Sequence, residues 1–188
     1  MADRKRGRGG SDHGGRGGGG GGGFKKAAPE PTGPFGLIFQ GYATALDAKA
    51  LTRDNVIKAN RDIGADAKKL IFLLHRVSVP GADRAAILEE AEAAIGALSA
   101  QCASLLNELA GVEYWRLHHS WTGGVQELLE GLSFYWYLKE DGALITMEQA
   151  QAMLGGFPLT PEDFLLGVSD LTGELMRHAT NLLNRGDV

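Results

Sequence analysis

The chain has 188 residues, a formal net charge of −4 and a hydrophobic fraction of 44%, which suits one sizeable globular domain. A single cysteine excludes an internal disulfide framework and fits a reducing compartment. No apolar run approaches the length needed to cross a bilayer, so no membrane association is expected.

A basic, glycine-rich segment occupies residues 1–34. Its first 26 residues carry seven Lys or Arg against two Asp, whereas the rest of the chain has 12 basic and 21 acidic residues. Such a segment has too little apolar surface to offset its ordering entropy, so a disordered tail is predicted. Its run RKRGRGG is compatible with a nuclear-import signal, with an RGG-type RNA-binding segment or with a plain solubilising extension.

Helical periodicity dominates from residue 35 onwards, and no strand alternation is sustained. The pattern predicts long helices over residues 35–49, 52–78, 83–110 and 113–140. A short helix follows, opened by a capping box at Thr146 and Gln149, and a last helix begins with Thr160 as its cap and Pro161 at its first position. The sequence therefore predicts an all-α, antiparallel bundle of about six helices over residues 35–188.

Two glutamates lie in the most apolar of these helices. From 125 to 138 that helix is apolar nearly all round, which is typical of a buried helix. Glu127 and Glu130 are about 60° apart in projection, and Phe134 and Leu138 continue their stripe. A carboxylate in such a position must be paired, protonated or bound to a cation.

A second pair of acids, Asp170 and Glu174, lies four residues apart in the last helix. Periodicity places them on a polar arc with Gly167, opposite the apolar arc. This arc is either an ordinary wet face, on which Arg177 neutralises both acids, or half of a site. Glycines stand beside both acid pairs. Because a glycine inside a helix costs about 1 kcal/mol relative to alanine, their presence indicates that another group approaches each of these two helices closely.

Four carboxylates from two helices suit a hard divalent cation, Mg²⁺ or Mn²⁺. The two acid pairs lack the Glu-x-x-His motif of di-iron bundles, so magnesium is favoured over iron. If the two helices face each other, the carboxylates of all four residues should converge within reach of a metal: Glu127, Glu130, Asp170 and Glu174. The chemistry expected of such a site is phosphoryl transfer or phosphodiester hydrolysis.

A second candidate site is the segment that opens the fourth predicted helix, Trp115–His119. Its bases and aromatic rings are of the kinds that contact phosphates and stack on nucleobases. The alternative is a plain helix start with a tryptophan in the core. Two further residues have simpler interpretations. His75 follows an apolar run, which indicates a cation at the C-terminus of a helix. Cys102 lies on an apolar stripe, which indicates a core residue.

Three segments resemble the translin family closely: RDIGADAKKLIFLLHRV (61–77), GGVQELLEGLSF (123–134) and LTPEDFLLGVSDLTGELMRHATN (159–181). The similarity covers most of residues 35–188. It implies an all-α bundle of the translin type that lacks the last long helix of the family.

The resemblance also implies a function. It implies either a non-catalytic, nucleic-acid-binding and scaffolding partner of translin or, as the favoured interpretation, the catalytic subunit of a Mg²⁺-dependent endoribonuclease, which forms a closed hetero-oligomeric shell with translin. That complex acts on single-stranded RNA in passenger-strand removal, during activation of the RNA-induced silencing complex, and in tRNA processing. Single-stranded DNA is a further candidate ligand, and cytoplasm and nucleus are the expected compartments. The family's acidic residues map onto Glu127, Glu130, Asp170 and Glu174, and its nucleic-acid-contacting segment maps onto Arg116, His118 and His119.

Overall fold

The computed structural model describes residues 33–109, 111 and 113–184. This part of the chain is helical and contains no strand, which confirms the predicted all-α class over the described residues. The elements are α1 (Gly33–His75), a 3₁₀ turn (Arg76–Ser78), α2 (Arg84–Glu108), α3 (Glu113–Arg116), α4 (His118–Lys139), α5 (Met147–Met153) and α6 (Pro161–Leu183). The disordered tail predicted for residues 1–34 lies outside the described residues, except for residues 33 and 34, which begin α1.

The chain divides into two units, Met1–Gln40 and Gly41–Val188. Of the first unit the structure describes residues 33–40, which form the first turns of α1. The second unit contains the rest of α1, the helices α2 to α6 and the hydrophobic core. All candidate site residues belong to this second unit.

The helices predicted over residues 35–49 and 52–78 are in fact one helix, so the predicted boundary at Thr52 is wrong. The Thr52 hydroxyl donates a hydrogen bond to the carbonyl of Ala48 at 3.2 Å, four residues back in the same helix. A threonine bonded in this way lies inside a helix and does not cap one. Tyr42 and Leu46, whose spacing of four residues places them on one face of this part of α1, remain 63% and 65% exposed.

The helix predicted over residues 113–140 is interrupted once, at Leu117, so α3 and α4 are separate helices. Leu117 is 2% exposed, and its carbonyl accepts a hydrogen bond from the Ser120 amide, three residues on, at 2.8 Å. This tighter bonding breaks the regular helical ladder. The predicted end at Asp141 and Gly142 is confirmed, because both residues have positive φ, 46° and 94°.

The predicted caps are present. The Thr160 side chain accepts a hydrogen bond from the Asp163 amide at 3.0 Å, and Pro161 occupies the first turn of α6. Thr146 and Gln149 form the reciprocal capping box of α5. These polar side chains satisfy backbone amides that the first turn of a helix leaves unpaired.

Pairs of contacting residues give the helix directions. The pairs that α1 and the 3₁₀ turn after it make with α2 run in opposite order, since Asp66 of α1 meets Gln101 and Arg76 of the turn meets Glu90. Contacts of α4 with α1 (Gly124 with Asn60, Gly131 with Leu70) and with α6 (Thr122 with Asp163, Leu129 with Gly167) instead rise in residue number along both helices. These three helices are therefore parallel to one another. The residues between α4 and α6, including α5, return the chain to the end of the bundle where α6 begins.

Glycines set the spacing between the three parallel helices. A Cβ built on Gly124 would lie 2.3 Å from the carbonyl oxygen of Asn60 in α1, and one built on Gly131 would lie 3.3 Å from Leu70 and Ile71. The close approach predicted beside the acid pairs is therefore an approach of helix to helix. No helix in the described residues is both long and apolar enough to span a bilayer.

Candidate metal-binding acidic site

The two helices that carry the acids, α4 and α6, pack extensively against each other. The polar arc of α6 faces α4, since Asp163 and Gly167 are both buried. Glu127, Glu130 and Glu174 are half-buried, whereas Asp170 is exposed. The wet-face interpretation is therefore wrong for the start of the arc, at Asp163 and Gly167, whereas Asp170 is exposed as that interpretation expects.

The four acids lie close enough to influence one another electrostatically. Burial, followed by the negative charges of Glu174, Glu127 and Asp170, raises the pKa of Glu130 to about 7, and Lys68 acts in the opposite direction. Two cations, Lys68 and Arg177, face four carboxylates, so the site holds more negative charge than these cations balance. The two acid pairs that the sequence separates by 40 residues thus belong to one electrostatic cluster.

Two cations border the cluster. Lys68 of α1 forms an ion pair with Glu127, with 3.2 Å between Nζ and Oε1. The Arg177 guanidinium lies 3.8 Å from Glu174 and over the ring of Phe72, 5.5 Å from its centroid. Both cationic side chains are about half exposed, so each is free to exchange its partner for a ligand.

His75 is the third basic group at the cluster. Its Nε2 is hydrogen-bonded to Oε2 of Glu174, and its ring packs on Phe134 with 4.8 Å between centroids. The sequence interpretation of His75 as a helix C-terminal cation is incomplete, because the residue does end α1 but faces the acids. Periodicity gives a signal for this face, since Lys68, Phe72 and His75 are spaced four and three residues apart on α1.

The acids fit a hard cation by their chemistry but do not form a closed cage. In the part of the chain that the structure describes, no group of three or more His, Cys, Asp or Glu is placed to hold a metal ion. The predicted convergence of all four carboxylates is therefore not present in these side-chain conformations. Oxygen ligands, excess negative charge and the raised pKa of Glu130 nevertheless match what Mg²⁺ or Mn²⁺ requires.

The predicted RNA-contact residues differ in their exposure and in their hydrogen-bond partners. His118 donates to Oδ2 of Asp163 at 2.8 Å, and Asp163 is 1% exposed. Burial would raise the pKa of Asp163, but hydrogen bonds from Thr122, Thr160, His118 and Gln126 outweigh it and hold the pKa below its usual value. His118 therefore belongs to a satisfied polar network between α4 and α6, which the sequence did not reveal.

Arg116 and His119 are the more accessible members of this set. The Arg116 Nε donates to Glu113 at 2.8 Å within α3, and His119 is exposed. Trp115, which is 68% exposed, lines a groove of about 470 Å³ with Tyr114 and Pro161. The alternative expectation, a tryptophan of this segment in the core, is wrong for Trp115, and the fully buried tryptophan is Trp121 in α4.

Comparison with known proteins gives the family. The model of the Translin family matches residues 51–188. The chain belongs to the translin family. The part matched contains both acid pairs, His75 and the Trp115–His119 segment.

Relatives in this family carry two names. The chain is 33% identical to Translin-associated protein X of Mus musculus, with 82% of this chain and 61% of that protein covered. It is 30% identical to the Translin-associated protein X homolog of Schizosaccharomyces pombe, with 74% and 59% covered. It is also 30% identical to Translin of Gallus gallus, with 80% and 69% covered. The chain thus spans about three-fifths of the length of the proteins named X.

A solved structure shares the fold. The crystal structure of apo-NeC3PO superposes with a TM-score of 0.62 at 19% sequence identity, over 79% of this chain and 69% of that one. At this identity the likeness concerns the architecture alone. It confirms that the all-α bundle is of the translin type.

Proposed function

We propose that this translin-family chain is the catalytic subunit of a Mg²⁺-dependent endoribonuclease that cuts single-stranded RNA and works together with translin. The observation that carries the proposal is the cluster around Glu130, in which burial and then three other carboxylates raise the pKa of Glu130 to about 7. A structural ion-pair network would be expected to balance its charges. This cluster has an excess of acids, which a divalent cation would neutralise.

The acids and the cations of the cluster have different tasks in the proposed chemistry. Glu127 and Glu130 of α4, with Asp170 and Glu174 of α6, would hold the ion. A hard divalent cation supplies a water of lowered pKa and neutralises charge on phosphate oxygens. Lys68 and Arg177, at the exposed rim of the cluster, would hold the RNA backbone by charge.

The substrate proposal extends to the Trp115–His119 segment. Arg116 and His119 supply accessible polar groups, and the exposed Trp115 ring provides a stacking surface for an unpaired base. The proposed ligands are single-stranded RNA and single-stranded DNA. The proposed processes are passenger-strand removal and tRNA processing, and the proposed compartments are cytoplasm and nucleus. Among the predicted contacts His118 is the weakest, since Asp163 already occupies its Nε2.

Translin is the proposed partner. Support comes from the outer face of α6, on which three large apolar side chains are more than 60% exposed: Leu165, Met176 and Leu183. Exposed apolar side chains grouped on one helix are typical of a protein interface. The relatives named Translin and Translin-associated protein X are in keeping with this pairing.

A cleavage assay tests the proposal. The chain is mixed with translin, a short labelled single-stranded RNA and Mg²⁺, and the products are resolved by size. Glu127→Gln and Asp170→Asn should each lower the cleavage rate at least about 100-fold, because each removes a charged ligand of the ion. Glu89→Gln, an exposed glutamate of α2, is the matched control and should cleave as the wild type does. Full cleavage by both site variants would refute the proposal.

A non-catalytic, nucleic-acid-binding and scaffolding partner of translin is the second candidate. It is favoured by the contacts that the acids already make, with Lys68 on Glu127 and with His75 and Arg177 on Glu174. In this case the same assay should give RNA binding by the wild type without Mg²⁺-dependent products. The site variants should then bind RNA as strongly as the wild type or more strongly, since they remove negative charge.

A further inference from the structure

His75 occupies an unusual position for a histidine, at the end of α1 and inside the core. It is 8% exposed, and Phe134 packs against its ring. Its Nε2 is hydrogen-bonded to Glu174, which lies 99 residues away in sequence. The bundle therefore brings one ring nitrogen of α1 directly onto one carboxylate of α6.

The other ring nitrogen of His75 is buried without a partner among the described residues. Buried polar atoms are normally hydrogen-bonded. Among the described residues the hydrogen bond that holds the ring is therefore the one from Nε2 to Glu174.

The same contact determines the orientation of Glu174. Its side chain is 19% exposed, and its other basic neighbour, Arg177, lies at 3.8 Å, beyond normal hydrogen-bond length. His75 thus provides the short contact, on Oε2. An ionised carboxylate accepts at both oxygens, so Oε1 is the atom left for a ligand.

We propose that His75 is a positioning residue of the acidic site. Its Nε2–H donates to Glu174 and fixes that carboxylate in the orientation it needs to share a divalent cation with the other acids. The inference rests on the proposed function, because it assumes that Glu174 is a metal ligand. When a metal-binding side chain loses the residue that hydrogen-bonds to it, metal affinity typically falls about 10- to 100-fold.

Two substitutions of nearly the same chemistry separate positioning from packing. Glutamine at residue 75 places an amide nitrogen close to the position of the histidine Nε2, whereas asparagine is one methylene shorter and cannot reach Glu174. His75→Asn should bind Mn²⁺ about 10- to 100-fold more weakly than the wild type. His75→Gln should retain most of the affinity. The measurement is calorimetric titration of MnCl₂ into the full chain without RNA.

His178→Gln is the matched control. His178 packs on the same Phe134 ring, 5.7 Å between centroids, but its Nδ1 is hydrogen-bonded to the Ser78 hydroxyl at 2.8 Å. This variant should bind Mn²⁺ as the wild type does. In the cleavage assay with translin, raising the Mg²⁺ concentration should restore the rate of His75→Asn, since its defect is in metal occupancy.

The outcomes are distinct. Unchanged Mn²⁺ affinity in His75→Asn overturns the inference while leaving the proposed function intact. Equal loss in His75→Gln and His75→Asn, with a lowered Tm in both, assigns His75 a structural role and also overturns it. Absence of Mn²⁺ binding by the wild type overturns the metal site itself, and the inference with it.

Discussion

Gly167 of α6 lies directly against Leu129 of α4, so closely that a Cβ built on Gly167 would be 2.5 Å from the Leu129 Cβ and 2.8 Å from the Gln126 carbonyl oxygen. This crossing sits between the two acid pairs and sets the distance between α4 and α6. A methyl group there cannot be accommodated by a side-chain rotation, because one of the neighbours is backbone.

Gly167→Ala should therefore destabilise the protein by about 1–3 kcal/mol, the usual cost of overpacking, and should reduce cleavage by separating the acid pairs. Gly173→Ala is the matched control on the same helix, where nothing lies within 4 Å of the added methyl group. It should stabilise by about 0.5–1 kcal/mol, because alanine is the better helix former. Urea denaturation measures the free energy of unfolding of both variants. Equal changes in the two would contradict the close contact between Gly167 and α4.

Neighbouring glycines in α4 provide a second comparison. A Cβ on Gly124 would meet the Asn60 carbonyl oxygen at 2.3 Å and its Oδ1 at 2.5 Å, whereas a Cβ on Gly123 meets nothing within 4 Å. Gly124→Ala should cost about 1–3 kcal/mol, with loss of the hydrogen bond from the Gly124 amide to Asn60. Gly123→Ala should be neutral or stabilising. Thermal unfolding measures the Tm of both variants. A Tm for Gly124→Ala at or above that of Gly123→Ala would contradict the close packing of α1 on α4 at Gly124.

The raised pKa of Glu130 predicts a dependence of stability on pH. Its folded pKa, about 7, lies above its ordinary value of 4.5, so the folded state holds the extra proton between these two pH values. Stability should therefore fall as pH rises from about 4.5 to 7, in metal-free buffer. Glu130→Gln removes this loss and should be more stable than the wild type at pH 8 by roughly 1 kcal/mol, discounted for partial exposure.

In Tm this difference corresponds to about 2–4 °C for a chain of this size. Scanning calorimetry at pH 4.5 and pH 8 with EDTA measures it, and the two proteins should unfold alike at the lower pH. Mg²⁺ should close the gap at pH 8 by stabilising the wild type alone. An equal Tm for both proteins at pH 8 without metal would show that the acids do not repel one another.

His118 and His119 are adjacent in sequence but should behave differently. His118→Ala removes a hydrogen bond that the buried Asp163 carboxylate accepts, so it should destabilise the folded protein by about 1–3 kcal/mol. His119→Ala should leave stability unchanged. If His119 contacts a phosphate, its loss should weaken RNA binding. Fluorescence anisotropy at several salt concentrations, beside thermal unfolding, distinguishes the two roles.

Periodicity was sufficient for the helical class, for most helix ends and for the unusual place of Glu127 and Glu130. These features are local, because a cap such as Thr160 or a stop such as Gly142 acts within one turn of the backbone. The same reasoning split α1 at Thr52, because a threonine that caps a helix and one that bonds back inside it look alike in sequence. Only the carbonyl of Ala48, at 3.2 Å, distinguishes them.

By itself, the sequence determined which residues carry charge and which faces are apolar. The tertiary structure decided which of those faces meet. It placed the polar arc of α6 on α4, brought His75 to Glu174 and moved His118 from the RNA-contact set into a network with Asp163. The reason is that helix packing here depends on glycines at the crossings, where backbones approach within a few ångströms, and that distance depends on both helices at once.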